Sequence, residues 1–315
     1  MVPIKLGMVG GGQGSFIGGV HRIASRIDGK YNLIAGALSS NLSVALSSAK
    51  DLGIDEDRSY GSFEEMAIKE SKREDGIDVV AIVTPNYLHF SIAKVFLEKG
   101  IHVICDKPLS HTLDDAKKFL NTAKNSEALF ALTHNYTGYP MVRQAREICR
   151  GGKLGKIRVI QVEYPQDWLT TPLENQKDTP GNKQAAWRTD PTKAGAGGCI
   201  GDIGSHAFNL VDFITGAELD ELCSDLSNFV EGRLNDDNAH VLLRYKDNIK
   251  GMLWSSQVSP GNENALKVRI YGEKGGLEWE QENPNYLVLN LYGSPKQTIR
   301  RSGFGTSDIA NNVTR

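Results

Sequence analysis

A chain of 315 residues exceeds the ~100–200 residues of an ordinary domain, so two packed domains, each with its own core, are expected and disulfide staples are not needed. Its 36 basic and 38 acidic residues are interspersed for a net charge of -2, without a long basic run, which excludes an electrostatic claim on nucleic acid or an acidic membrane surface. The four cysteines, Cys105, Cys149, Cys199 and Cys223, form no CxxC pair and no Cys/His set at metal-ligand spacing, which excludes a disulfide framework and a metal site and leaves buried, reduced thiols.

The N-terminus, MVPIKLGMVGGG, reaches a strand and a glycine loop without the charged, apolar and cleavage regions of a secretory signal. The apolar stretches fall well short of the ~20 residues that span a bilayer, so a cytoplasmic protein is expected. Residues 4–9 (IKLGMV) are an apolar run ending in glycines, and Val20, Ile23, Ala24 and Ile27 carry helical spacing across Gly18 to Ile27. A second apolar run, Leu33 to Leu38, leads into a helix capped by Asn41 or Ser43 and reaching about Leu52. Val79 to Val83 (VVAIV) has the continuous apolar character of a strand buried on both faces. A helix around Tyr87 to Glu98, a strand at Ile101 to Cys105, a helix at Leu113 to Asn125 and a strand at Leu129 to Thr133 continue the alternation. Repeated βα units imply an α/β fold with a doubly wound parallel sheet, whose ligand crevice lies beyond the carboxyl ends of the strands.

After a helix near Pro140 to Arg150 and the turn-rich GGKLGK, the pattern changes. Residues 157–164, 239–245, 249–257, 266–271 and 286–292 read as strands of a mostly antiparallel sheet, with one helix from about Ser205 to Ile214 and a loop-rich stretch over 165–200.

Gly10, Gly11, Gly12 and Gly14 follow the first strand and precede the first helix, where glycine permits a tight turn and close approach of a pyrophosphate to backbone N–H groups. That context predicts a dinucleotide site of the Rossmann type. The spacing departs from GxGxxG, because position 15 is Ser and the next glycine is Gly18, so phosphate contacts are expected from Gly10, Gly12 and the backbones of Gln13, Ser15, Phe16 and Ile17. A carboxylate after the second strand would bind a ribose 2′-hydroxyl, whereas this segment reads Ala37-Leu38-Ser39-Ser40-Asn41. Ser39 and Ser40 suit a 2′-phosphate, yet no arginine follows them; NAD and NADP both remain open, with a slight tilt to NADP. The organisation expected is a Rossmann domain over residues 1–137 and an α+β domain over 138–315 for substrate binding and oligomerisation.

Three further motifs occur in order: Thr84-Pro85-Asn86 with His89, Cys105-Asp106-Lys107-Pro108, and Gly201-Asp202-Ile203-Gly204-Ser205-His206. Together with the glycine loop they resemble the Gfo/Idh/MocA oxidoreductase family over nearly the whole chain. The resemblance implies that Thr84, Pro85, Asn86, His89, Asp106 and Lys107 line the cofactor and that Lys107 reaches the substrate hydroxyl. Asp202 and His206 would face the substrate from the second domain. Asp106 stands where the family pattern has Glu, shortening its reach toward the nicotinamide ribose. Asn135, Tyr136, Tyr164, Trp187 and Arg188 resemble positions that line the substrate cleft.

Oxidising a secondary alcohol requires its proton to leave as hydride departs, so a base of tunable pKa must touch the hydroxyl. His206 suits that role, since imidazole titrates near neutrality. Lys107 would orient the hydroxyl and stabilise developing negative charge, with Asp202 fixing the geometry. Spacing of four places Asp202 and His206 on one helical face if the helix begins at or before Asp202. Singly, each has a plainer reading: Asp202 an N-cap, His206 an interior histidine, Lys107 a solvated lysine before a turn.

The expected activity is hydride transfer between a nicotinamide cofactor and a secondary hydroxyl or ketone of a sugar, sugar derivative or cyclitol. A nicotinamide-dependent glycosidase and a non-catalytic cofactor-sensing regulator are the alternatives on this fold. A homodimer or homotetramer is expected, because the outer face of the second sheet needs covering. The resemblance also implies a further helix and strand beyond Arg315.

Overall fold

The computed structural model describes residues 2–313, and the chain divides into two compact units, residues 1–133 and 134–315. The expected helix and strand beyond Arg315 lie outside the described residues.

The first unit alternates strands and helices: β1 (Ile4–Gly10), α1 (Phe16–Ile27), β2 (Tyr31–Ala37), α2 (Leu42–Asp51), α3 (Phe63–Glu70), β3 (Val79–Val83), α4 (His89–Leu97), β4 (His102–Asp106), α5 (Leu113–Lys124) and β5 (Phe130–Thr133). The strands form one parallel sheet in the order β2-β1-β3-β4-β5. All of β3 is buried, and its side chains alternate between two cores: Val80 and Ile82 pack with Phe96 and Phe119, while Val79, Ala81 and Val83 pack with Leu6, Met8 and Leu38. A strand covered on both faces needs the unbroken apolar run that VVAIV supplies. Side-chain caps set the helix starts, with Asn41, Ser62 and Thr112 accepting from the amides of Val44, Glu65 and Asp115.

Helix α3 went unread in the sequence. It is anchored by a buried Arg58–Glu70 ion pair, in which Arg58 Nε donates to Glu70 Oε1 at 3.1 Å, the Tyr60 hydroxyl donates to the same oxygen at 2.7 Å and the Ile77 amide to Oε2 at 3.0 Å. This pairing adds to the burial of Met66 and Ala67 in the core.

The second unit comprises α6 (Pro140–Arg150), β6 (Ile157–Pro165), α7 (Asn182–Arg188), α8 (Pro191–Ala194), a π-helical segment (Ile200–Gly204) running directly into α9 (Ser205–Thr215), then β7 (Leu219–Ser227), β8 (Asn238–Tyr245), β9 (Lys250–Ser256), β10 (Lys267–Gly272), β11 (Gly275–Glu280), β12 (Tyr286–Leu291), β13 (Gln297–Arg300) and α10 (Asp308–Asn311). The eight strands order as β13-β12-β11-β10-β6-β9-β8-β7, antiparallel except for β6 beside β9. Period-two alternation buries Ile160, Val162 and Tyr164 of β6 and Val241, Leu243 and Tyr245 of β8 in one core with Leu210, Val211 and Ile214 of α9.

Three strands escaped the sequence reading. The edge strand β7 (LDELCSDLS) has no buried residue and thus no apolar face to betray it, β11 (GGLEWE) opens on two glycines, and β13 has four residues. The stretch 165–200 is less irregular than expected, since it carries α7 and α8.

Candidate active site

In the first unit, the loop between β1 and α1 is shaped by what glycine alone permits. Gly10 has φ +79°, and a Cβ at Gly18 would lie 2.4 Å from the Gly11 Cα, so α1 starts in direct backbone contact with the loop. Arg22 of α1 donates to the Gly11 carbonyl at 2.6 Å, and burial lowers its pKa. The loop is also tied to α2: the Gln13 amide donates to Ser48 Oγ at 2.9 Å, and Gln13 Nε2 to Ser47 Oγ at 2.9 Å and Asp51 Oδ2 at 2.7 Å.

These bonds already engage two of the backbone donors expected to meet the phosphate. The backbone donors of Gln13 and Ser15 are taken by Ser48 Oγ and by the Gly12 carbonyl at 3.0 Å, and the Gln13 side chain braces the loop. Phe16 and Ile17 open α1, where the first-turn amides have no intrahelical acceptor, and Ser15 makes no side-chain cap. Those amides, with Gly14, are the loop groups able to receive an anion. Gly12 leaves no room for a side chain, a Cβ there falling 2.8 Å from the Leu38 carbonyl oxygen. After β2, Ser39 Oγ accepts from the Asn41 amide at 3.1 Å, and Ser40 is exposed.

The ends of β3 and β4 carry the other candidates of this unit. Thr84 lies beside Gly10, and its buried Oγ1 has no hydrogen-bond partner among the described residues, as expected of a group that awaits a ligand. Pro85 and Asn86 lead into a short 3₁₀ turn. His89, expected to line the cofactor, is wholly buried instead, with Nδ1 2.7 Å from the Pro108 carbonyl oxygen and Nε2 2.9 Å from that of Thr84. Both ring nitrogens thus face backbone, and His89 braces the two strand ends. Burial pushes its pKa down.

Asp106 ends β4, receives a 3.0 Å bond from Thr133 Oγ1 and lies 3.8 Å from His21 Nε2. Burial opposes its charge, but His21, Lys107 and Thr133 outweigh that and hold its pKa below the usual carboxylate value. Lys107 follows at once and joins Pro108 through a cis peptide bond.

In the second unit, the helix carrying Asp202 and His206 does begin before Asp202, but as a π-helical segment that becomes α-helical at Ser205. Such turns are rare and gather at functional sites. Asp202 Oδ2 accepts from Arg188 Nε at 3.2 Å and from Gln257 Nε2 at 3.0 Å. Arg188 also donates to Gln184 Oε1 at 2.8 Å, and its guanidinium stands 4.2 Å from the Trp187 ring centre. The buried His206 ring meets Tyr136 edge-on at 4.9 Å between centroids and lies 6.3 Å from Tyr164 and 6.1 Å from His134.

The hydroxyls of Tyr136 and Tyr164 are hydrogen-bonded to each other, and Tyr164 also donates to Asn264 Oδ1 at 2.5 Å. Burial raises both tyrosine pKa values, keeping the hydroxyls protonated. Gln166 Nε2 joins the same Asn264 oxygen at 2.9 Å, and the Trp168 indole donates to Gln166 Oε1 at 3.1 Å. Asn135 starts the adjacent 3₁₀ turn and is exposed. Asp202, His206, Tyr136, Tyr164, Trp187 and Arg188 therefore belong to one polar and aromatic cluster. Gln166, Trp168, Gln184, Gln257 and Asn264 were missed, because isolated amides and a lone indole carry no spacing signal. No His/Cys/Asp/Glu group suited to a metal occurs among the described residues.

Residues 4–145 match the family model for an oxidoreductase family with an NAD-binding Rossmann fold, and residues 142–278 match the GFO/IDH/MocA C-terminal domain. An uncharacterized oxidoreductase, YfiI, of Bacillus subtilis is 35% identical over 98% of this chain and 78% of its own. The crystal structure of an oxidoreductase from Sinorhizobium meliloti superposes with a TM-score of 0.89 at 52% identity, covering 100% of this chain and 83% of that one. An inositol dehydrogenase homolog from Azotobacter vinelandii, complexed with NADH and myo-inositol, superposes with a TM-score of 0.90 at 32% identity over 98% of this chain and 78% of that one. The first part of the chain is thus that of an NAD-binding oxidoreductase, and the chain belongs to the Gfo/Idh/MocA family.

Proposed function

We propose that this protein is a dehydrogenase that moves hydride between NAD and a secondary hydroxyl or ketone of a cyclitol or sugar. The observation that carries the reading is the cluster in which Asp202 is held by Arg188 and Gln257 while His206 packs against the Tyr136 and Tyr164 rings, on one continuous helical stretch. Several hydroxyl and amide groups converge there, which suits a polyol better than an apolar or anionic ligand. The inositol-bound relative from Azotobacter vinelandii points to the same substrate class.

When bound, the nicotinamide supplies the hydride acceptor or donor. In the direction of oxidation, His206 takes the hydroxyl proton, its ring fixed by the surrounding aromatics. Lys107 donates to the same oxygen and offsets the negative charge that grows on it, and Asp202 orients the substrate. Tyr136 and Tyr164, kept protonated by burial, spend their protons on each other and on Asn264 and so hold a fixed wall beside His206. Phe16 and Ile17 amides and the Thr84 hydroxyl receive the dinucleotide.

Ser39 and Ser40 stand where neither a repelling carboxylate nor a clamping arginine adjoins, so NADP is accepted as well, and the serines favour it only slightly. The outer face of the eight-stranded sheet exposes Val159, Leu242, Met252 and Tyr271, the kind of apolar surface that a second copy covers, so a homodimer or homotetramer is expected. Free thiols at all four cysteines suit a cytoplasmic setting.

The test is incubation with a panel of cyclitols and sugars and each dinucleotide. Accumulation of reduced nicotinamide supports the reading, whereas release of sugar from a glycoside without net cofactor change would identify a hydrolase.

A further inference from the structure

We propose that Asp236 is a positioning residue for Asp202 and His206, clamping the start of the π-helical segment that carries them. The proposal rests on the reading that these two residues act on the substrate.

Three consecutive residues before Asp202 are held by Asp236. Its Oδ1 accepts from the Gly198 amide at 2.6 Å, and its Oδ2 accepts from the Ile200 amide at 2.8 Å and the Cys199 thiol at 3.0 Å. The Asp236 carbonyl oxygen accepts from the Cys199 amide at 2.8 Å. The approach is so close that a Cβ on Gly198 would lie 2.0 Å from that oxygen. The next link is local, since the Asp202 amide donates to the Gly198 carbonyl at 2.9 Å. One carboxylate thus fixes the turn from which the Asp202 side chain and, one turn on, the His206 ring project.

A helix start has N–H groups without intrahelical acceptors, and a carboxylate there makes short, charge-assisted bonds. Asn at this position would keep one carbonyl acceptor and set an NH₂ against a backbone N–H, so at least one bond is lost. The first turn then shifts, and a displacement of the order of 1 Å at reacting groups is worth roughly 100-fold in rate.

The neighbouring residue is an internal control. Asp237, more deeply buried than the half-buried Asp236, accepts instead from the Phe229 amide at 2.9 Å, the Val230 amide at 3.0 Å and Arg233 Nη1 at 3.2 Å. Arg233 in turn holds the Leu169 carbonyl at 3.0 Å and Glu174 Oε1 at 3.0 Å. The Asp237 side chain stabilises the same domain through these bonds, none of which is to residues 198–202.

The experiment compares wild type, Asp236→Asn, Asp237→Asn and Cys199→Ala, all loaded with NAD, by steady-state kinetics on a polyol and by amide hydrogen exchange over residues 198–202. Asp236→Asn is expected to lower kcat by roughly 30- to 100-fold with NAD affinity unchanged and faster exchange over 198–202. Asp237→Asn is expected to lose thermal stability, keep kcat within about threefold and leave that exchange unaltered. Cys199→Ala, which spares the backbone bonds, covers the case in which Asp236→Asn does not fold, and should show a smaller change in the same two quantities. Equal kcat losses in Asp236→Asn and Asp237→Asn, or faster exchange with wild-type kcat, would overturn the proposal. A wild type inert toward every polyol, with exchange still faster in Asp236→Asn, would overturn the activity reading while supporting the clamp.

Discussion

Arg188 Nε donates to Asp202 Oδ2 at 3.2 Å, and the same guanidinium is stacked 4.2 Å from the Trp187 ring. The carboxylate proposed to orient the substrate is therefore itself oriented by a planar cation that α7 and an aromatic face hold still. Lysine offers neither the fork nor the stacking.

Arg188→Ala and Arg188→Lys should both reduce kcat/KM for the polyol, by about 10- to 100-fold, because Asp202 loses its charged Arg188 bond. NAD affinity should not change. Steady-state kinetics with separate titration of each substrate checks this, and a wild-type kcat/KM in Arg188→Ala would remove Asp202 orientation from the account.

Much of this was legible in the residues. β3 announced itself as five apolar residues because both its faces are buried, and the glycine loop because Gly10 and Gly18 do what no other residue can do there. The chain order of Lys107, Asp202 and His206 carried the family resemblance. What stayed hidden is tertiary: the amides of Gln166, Gln257 and Asn264 matter only through partners far along the chain, and Gln257 lies 55 positions from Asp202. The His89 motif was noticed but its two backbone contacts were not, because spacing cannot distinguish a ring aimed at a ligand from one aimed at two carbonyls.

Gly18→Ala should weaken NAD binding by at least about tenfold and destabilise the fold by about 1–3 kcal/mol, since the new methyl meets the Gly11 backbone at 2.4 Å, where only a shift of α1 or the loop makes room. Fluorescence titration with NADH and denaturant unfolding measure the two effects. Gly19→Ala is the control, as the nearest atom to its Cβ would be a flexible arginine nitrogen at 3.9 Å.

His89 predicts a pH dependence of stability. Burial, outweighing its two carbonyl contacts, lowers the folded pKa below the ordinary ~6.5. Between those values the unfolded chain binds a proton that the folded chain does not, so stability rises with pH there. Its contribution is complete above ~6.5 and is lost as pH falls toward the folded value. Urea unfolding at stepped pH should show a slope below neutrality in wild type that is smaller in His89→Asn. Identical slopes would contradict it.

Glu70→Gln should cost about 1–3 kcal/mol, because the buried Arg58 loses its buried charge partner while the exposed Asp75 carboxylate still pairs with it. The pair serves α3 and not the chemistry, so kcat of the folded fraction should match wild type. Thermal unfolding and active-site-normalised kinetics check both halves.

The most direct test of the central claim is transfer of deuterium from the carbinol carbon of a labelled polyol such as myo-inositol to C4 of the nicotinamide, followed in wild type and Lys107→Ala. The account predicts stoichiometric transfer in wild type, and in the variant a loss of transfer with NAD still bound. Reduced nicotinamide formed without deuterium, or transfer undiminished in Lys107→Ala, would contradict it.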